Sequence, residues 1–201
     1  MNLGDKVIVT PLTFAASANC IRFRGGEVVF CDVEEDTYLM DIKKLSRLLS
    51  QSPKGTYKGI VLVDFAGYPA NLEAFRQLAD EYGLWIIEDA CHAPGGYFID
   101  SKGEKQLCGN GNFADISVFS FHPVKHIATG EGGMATTNSK KLYEKLCLYR
   151  THGITKDPAL LCENHGGWYY EMQELGYNYR ITDFQAALGI SQLKRADTVS
   201  Y

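Results

Sequence analysis

Two hydrophobic patterns alternate along the chain. The first is a set of short, β-branched runs that stop near turn-forming residues: "KVIVT" (6–10) before Pro11, "EVVFCDV" (27–33), "GIVLVDF" (59–65), "LWIIEDA" (84–90), "ADISVFSF" (114–121) and "GGMATT" (132–137). Such runs predict strands, and the unbroken apolar stretch of 59–65 predicts one buried on both faces. The second pattern repeats every three or four residues and predicts helices. Phe14, Ala18, Ile21 and Phe23 form such a stripe after Thr13, closed by Gly25 and Gly26. Ile42, Leu45, Leu48 and Leu49 form another behind Asp41, a natural N-cap. Leu72, Phe75, Leu78, Ala79 and Tyr82 continue the series from Asn71. Ser139 opens a helix to Arg150, and Thr182 opens one through Phe184, Ala187, Leu188 and Leu193.

Two stretches fit neither pattern. Residues 101–112 are polar and glycine-bearing, a surface loop or hairpin; residues 155–174 show no clean period and cluster aromatics in "HGGWYYEM", an excursion that packs on something. No repeat or linker divides the chain. Strands alternating with helices predict one three-layer α/β/α unit with a mostly parallel sheet. Ligands of such sheets gather beyond the carboxyl ends of the strands, so polar residues there carry the most weight.

Composition narrows the classes. The 201 residues are 45% hydrophobic and 22% charged, with a net charge of −4 and no basic block, which argues against nucleic acid as a partner. No apolar run approaches the roughly 18 residues of a membrane span, and the N-terminus lacks a signal-peptide layout. The six cysteines contain no CxxC pair, so free thiols in the cytoplasm are expected.

Three strand ends carry unexpected chemistry. Glu88 and Asp89 follow Ile86 and Ile87 directly, a costly place for a carboxylate without a cationic partner, unless Asp89 simply caps the next turn. Asp89, Cys91 and His92 could suggest a metal, but adjacent Cys and His seldom face one ion and no second ligand cluster follows; no metal is expected. The run ending at Phe121 offers Ser120, His122 and then Lys125, ahead of "GEGG" (130–133). A loop lysine is usually a solvated charge. One held near an apolar strand end, with glycines leaving room for a ligand, is what Schiff-base chemistry needs. Phe14, past the first strand, is either a core aromatic or a flat surface for a ring. "GNGNFA" (109–114) and "GEGGMA" (130–135) imitate a dinucleotide fingerprint, but the first precedes a strand and the second follows a loop, which sets a nicotinamide oxidoreductase aside. An aromatic, an acid, a serine and a lysine at neighbouring strand ends match pyridoxal phosphate, which needs a lysine for its aldehyde, a carboxylate for its ring nitrogen and donors for its phosphate.

"TPLTFAASAN", "IIEDACHAPG", "FSFHPVKHIATGEGG", "YRTHG" and "GYNYRITDFQAALGISQLK" resemble, in order, blocks of the DegT/DnrJ/EryC1/StrS sugar aminotransferases. "ENHGGWYYEMQELGYNYRITDFQAAL" carries a narrower likeness to the members serving pseudaminic acid biosynthesis, which aminate a UDP-linked 4-keto-6-deoxy-N-acetylhexosamine from glutamate. The resemblance implies the large domain of a fold-type I pyridoxal-phosphate enzyme, a homodimer with sites at the subunit interface. It implies Lys125 as Schiff-base lysine and proton carrier, Asp89 at the pyridine nitrogen, Phe14 stacked on the ring and His92 at the ring hydroxyl. Ser120 would hold the phosphate, Asn178 would reach the neighbouring subunit's phosphate, and Arg180 would meet substrate. "GEGG" would let the backbone pass close to the cofactor. Relatives carry an N-terminal segment before the position of Leu3 and a smaller C-terminal domain, so residues 1–201 are expected to be the cofactor-binding large domain of a longer enzyme. Family members that act as dehydratases replace the lysine, commonly with histidine, and Lys125 speaks against that reading. A non-catalytic chain or interaction module stays open.

Overall fold

The branched runs pair as their pattern predicts. In a computed structural model describing residues 2–196, Lys6–Val9 (β1), Glu27–Phe30 (β2), Tyr57–Val63 (β3), Trp85–Asp89 (β4), Ile116–Ser120 (β7) and Gly133–Thr136 (β8) form one sheet in the order β2-β1-β3-β4-β7-β8. The first five are mutually parallel and β8 returns antiparallel to β7. The central strand β3 is buried along nearly its whole length.

Helices cover both faces. Ala16–Phe23 (α1) sets Ile21 against Val7, Val9 and Val61 on one face. Ile42–Ser50 (α2) and Leu72–Tyr82 (α3) pack Leu45, Leu49, Leu72, Phe75 and Ala79 against Ile8, Ile60, Leu62 and Ile86 on the other. Burying each of these large aliphatic side chains contributes about 1.5–3 kcal/mol. Alternation along each strand thus divides its side chains between the two layers. Asp41 and Asn71 accept first-turn amides at the starts of α2 and α3. Ser139 does the same for Lys140–Tyr149 (α4), and Thr182 forms a capping box with Gln185 on Asp183–Leu193 (α5).

Several expectations need correcting. Helix α1 starts at Ala16 with Ala15 in the cap position and no side-chain cap, and the Thr13 hydroxyl bonds Ser17. Phe14 and Phe23 point outward, so the buried stripe of α1 is Ser17 and Ile21. The apolar stripe of α5 is also outward: only Gly189 is buried there, and Phe184 is 91% exposed. The polar stretch, as expected, belongs to a hairpin, Tyr97–Ile99 (β5) with Lys105–Leu107 (β6). The aromatic excursion holds the short ribbon Ile154–Thr155 (β9) with Glu171–Met172 (β10) and does not enter the core; Trp168 stacks on His165 and is 70% exposed. Among the described residues no helix is long and apolar enough to cross a membrane.

Candidate active site

Because β1, β4 and β7 are parallel, they end on one edge of the sheet. Asp89 is the last residue of β4 and pairs with Val118 of β7; Ser120, two residues on, shares that face. Asp89 is half-buried, and its Oδ1 accepts the Cys91 amide at 3.2 Å, so it does cap the next turn. Its Oδ2 accepts the Ser17 hydroxyl at 2.6 Å.

Glu88 faces the opposite layer and is almost fully buried. Its oxygens accept the Gly109 amide at 3.2 and 3.0 Å. The cationic partner expected for these carboxylates is missing: no salt bridge reaches Glu88 or Asp89 among the described residues. Glu88 meets Asp64 and Cys108 instead, the donor atoms of all three lying within 4.8 Å of one another. Burial first, then the Glu88 charge, pushes Asp64 up to about 8, so that it keeps its proton at neutral pH. Burial, with Asp64 and Glu88 beside it, pushes the Cys108 thiol up as well. The ligand atoms of Asp89, Cys91 and His92 do not converge as this trio does.

Lys125 sits on a turn beyond β7, half-buried, its amide donating to the His122 carbonyl at 2.9 Å. Phe121 closes this loop at both ends: its amide donates to the Gly132 carbonyl at 2.8 Å and its carbonyl accepts the Thr129 amide at 2.9 Å. The Ala128 amide ties the loop to α5 through Gln192 Oε1 at 2.7 Å. The Lys125 ammonium has no salt bridge among the described residues, but its charge reaches two neighbours. Burial and then Asp89 push the Cys91 thiol up to about 12, with Lys125 opposing. Burial, then Lys125, lowers His92, leaving a neutral imidazole near pH 7.

The remaining expected residues divide into two groups. Ser120 Oγ accepts the His122 amide at 3.3 Å, beside the lysine turn. Phe14 is 76% exposed, which rules out the core reading, and its carbonyl accepts the Ser17 amide, tying its ring to the turn that reaches Asp89. Asn178 and Arg180 are not drawn into this group. Asn178 forms an isolated bridge with Thr151, both side chains are exposed, and neither hydrogen-bonds to the Lys125 neighbourhood among the described residues. The open cleft of about 1000 Å³ lined by Tyr68, His92, Tyr97, Phe121 and His126 takes in only His92 of the expected set. Asp89 and Ser120 face the α1 side instead.

The glycines need a different account. A Cβ on Gly133 would come within 2.7 Å of the Phe119 carbonyl oxygen, and Gly130 has a left-handed φ of 81° with open space around it. "GEGG" therefore serves the chain's own reversal into β8. Sequence reasoning also missed Ser17. The available signal was a small polar residue at i−4 from Ile21, on the buried stripe of α1.

Comparison with known proteins places the fold in a family. Residues 1–200 match the DegT/DnrJ/EryC1/StrS aminotransferase family. The UDP-4-amino-4,6-dideoxy-N-acetyl-beta-L-altrosamine transaminase of Campylobacter jejuni subsp. jejuni serotype O:23/36 is 42% identical over 198 residues, 98% of this chain and 48% of its own. Helicobacter pylori PseC, described as an aminotransferase involved in the biosynthesis of pseudoaminic acid, superposes with a TM-score of 0.79 at 34% identity, covering 96% of this chain and 47% of that one. Spr1654 of Streptococcus pneumoniae, in its PLP-form, gives 0.79 at 28% identity, covering 98% and 50%. The chain spans about half the length of the curated relatives it matches. A parallel sheet ending in Asp89 and Ser120, a lysine turn beyond it and a family match over the whole length agree: the chain belongs to the DegT/DnrJ/EryC1/StrS aminotransferase family.

Proposed function

We propose that residues 1–201 are the pyridoxal-phosphate-binding large domain of an aminotransferase that moves an amino group from glutamate to a UDP-linked 4-keto-6-deoxy-N-acetylhexosamine. The observation that carries this reading is a half-buried lysine, Lys125, with no salt bridge among the described residues, on the sheet edge where Asp89 ends β4. The Campylobacter relative's substrate class supports the UDP-sugar, and glutamate follows from the resemblance alone. Nucleotide sugars and glutamate are cytoplasmic substrates, and six free thiols accord with that compartment.

The residues fit the cofactor. Asp89 has one hydrogen bond on each carboxylate oxygen, and each oxygen has a second lone pair for a ring N–H. Lys125 has an uncommitted amine, Ser120 a hydroxyl at the strand end, and Phe14 an open ring face. Bound there, pyridoxal phosphate supplies an aldehyde for amine capture and a ring that accepts electrons. Lys125 Nζ would be the group that holds the cofactor's aldehyde, and its amine would then serve as the acid and base for the α-proton of glutamate. Asp89 keeps a proton on the ring nitrogen. Neutral His92 would hold the ring-hydroxyl side, and Ser120 would hold the phosphate.

The reading includes a homodimer with shared sites, in which Asn178 reaches the partner's phosphate and Arg180 the partner's substrate. It is supported by the large apolar side chains left exposed, among them Phe23, Trp168, Leu175, Tyr179 and Phe184. The full-length protein, given pyridoxal phosphate, should absorb in the visible, lose that band with glutamate and regain it with the keto-sugar. Lys125→Ala should abolish all three. Visible absorbance and glutamate turnover surviving in that variant would overturn the assignment.

A further inference from the structure

Ser17 lies on the buried side of α1, 4% exposed, and its hydroxyl is 2.6 Å from Asp89 Oδ2 across 72 residues of sequence. Bonds this short between a hydroxyl and a carboxylate are charge-assisted. The Thr13 hydroxyl is 2.8 Å from Ser17 Oγ. A carboxylate can only accept, so the single Ser17 proton goes to Asp89. The Ser17 lone pair must then accept from Thr13, which fixes the direction of the whole relay. The same helical turn carries Phe14, whose carbonyl accepts the Ser17 amide at 3.1 Å.

We infer that Ser17 is a positioning residue that holds the Asp89 carboxylate in the orientation needed at the cofactor's ring nitrogen, with Thr13 orienting Ser17. The inference rests on the proposed aminotransferase function. Cys91 alone would hold Asp89 through Oδ1 by a longer bond of 3.2 Å, leaving Oδ2 free to turn. With Ser17 in place both oxygens are engaged, so the lone pairs facing the ring stay fixed. A well-placed carboxylate keeps the ring nitrogen protonated; a loosely held one does so less completely.

The test uses the full-length protein loaded with pyridoxal phosphate labelled with 15N at the ring nitrogen. Ser17→Ala should still take up cofactor, with kcat lowered roughly ten- to a hundredfold and KM for glutamate changed less than about threefold. Its 15N ring signal should move toward the unprotonated position, a readout that a purely structural serine would not alter. Ser17→Thr, which keeps the hydroxyl, should recover both kcat and the signal. Thr13→Val should shift both in the same direction by less, and it decides the question if Ser17→Ala does not fold. Wild-type kcat with an unmoved ring signal, in Ser17→Ala or in a Thr13→Val that stands alone, makes Ser17 an ordinary buried hydroxyl and overturns the inference. A wild-type protein that takes up no cofactor overturns the functional reading, and this assignment with it.

Discussion

Asp64 and Glu88 reach from neighbouring strands into one buried space, where each carboxyl has the other and the Cys108 thiol as its acidic company. Two ionised carboxylates cannot share such a site cheaply, and Asp64 keeps a proton up to about pH 8. That proton is bound more tightly in the folded chain than in the unfolded one. The resulting stabilisation is complete below the ordinary carboxylate range near 3.8 and is lost as pH rises through about 8. Thermal unfolding between pH 5 and 9 should show a falling midpoint for the wild type, by about 2–4 °C for each kcal/mol lost. Asp64→Asn should flatten that fall, since its amide cannot ionise. Equal slopes for the two proteins would show that Asp64 does not hold that proton.

Asp89→Asn should preserve the fold, being nearly isosteric, while the cofactor's ring nitrogen loses its charged partner. Losing one member of a buried ion pair costs about 3–5 kcal/mol, so the half-reaction with glutamate should slow by roughly two to four orders of magnitude. Stopped-flow rates within about twofold of wild type would reduce Asp89 to the turn cap that its bond to Cys91 also makes it.

Asn178 and Lys125 can be tested as residues of different subunits. If Asn178 serves the partner, an Asn178→Ala chain keeps its own Lys125 and receives an intact Asn178 from a Lys125→Ala chain; the other site of that dimer lacks both. Equal mixing should then leave roughly one site in four whole, assuming random dimer pairing. A hydrogen bond to a charged group is worth about 1.5–3 kcal/mol, so the gain should be read at limiting pyridoxal phosphate, where Asn178→Ala alone loads poorly. No gain over the separate variants, although heterodimers form, would put Asn178 in its own chain's site.

Gly133→Ala should weaken the fold itself. The added methyl meets the Phe119 carbonyl where β7 and β8 pair, and overpacking of this kind costs about 1–3 kcal/mol. The loss should appear in cofactor-free protein by urea unfolding. A defect confined to cofactor uptake would show that "GEGG" serves chiefly to make room for the ligand.

The strands were legible because branched runs bounded by turns are their own signal, and Asp89, Ser120 and Lys125 were legible as polar breaks at the ends of such runs. The outward placement of Phe23 and Phe184 was not legible, for a physical reason. An aromatic on a helical stripe looks the same in sequence whether its own sheet or another chain covers it. Glu88 and Asp89 were weighed together, although strand parity sends one to each layer and gives them different partners. Ser17 and Asp64 were invisible because their contacts cross 72 and 24 residues respectively, and no local periodicity reports contacts at that range.

Phe121, by bonding to both Gly132 and Thr129, turns residues 122–128 into a tethered ring whose base is the edge of the sheet itself. Such a ring cannot swing as a flap. The lysine it carries can travel only as far as its four methylenes allow, like a crane arm on a fixed mast. Whatever reacts with Lys125 must therefore be delivered within that radius, and the tie from Ala128 to Gln192 means that a displacement of α5 would move the mast rather than the arm.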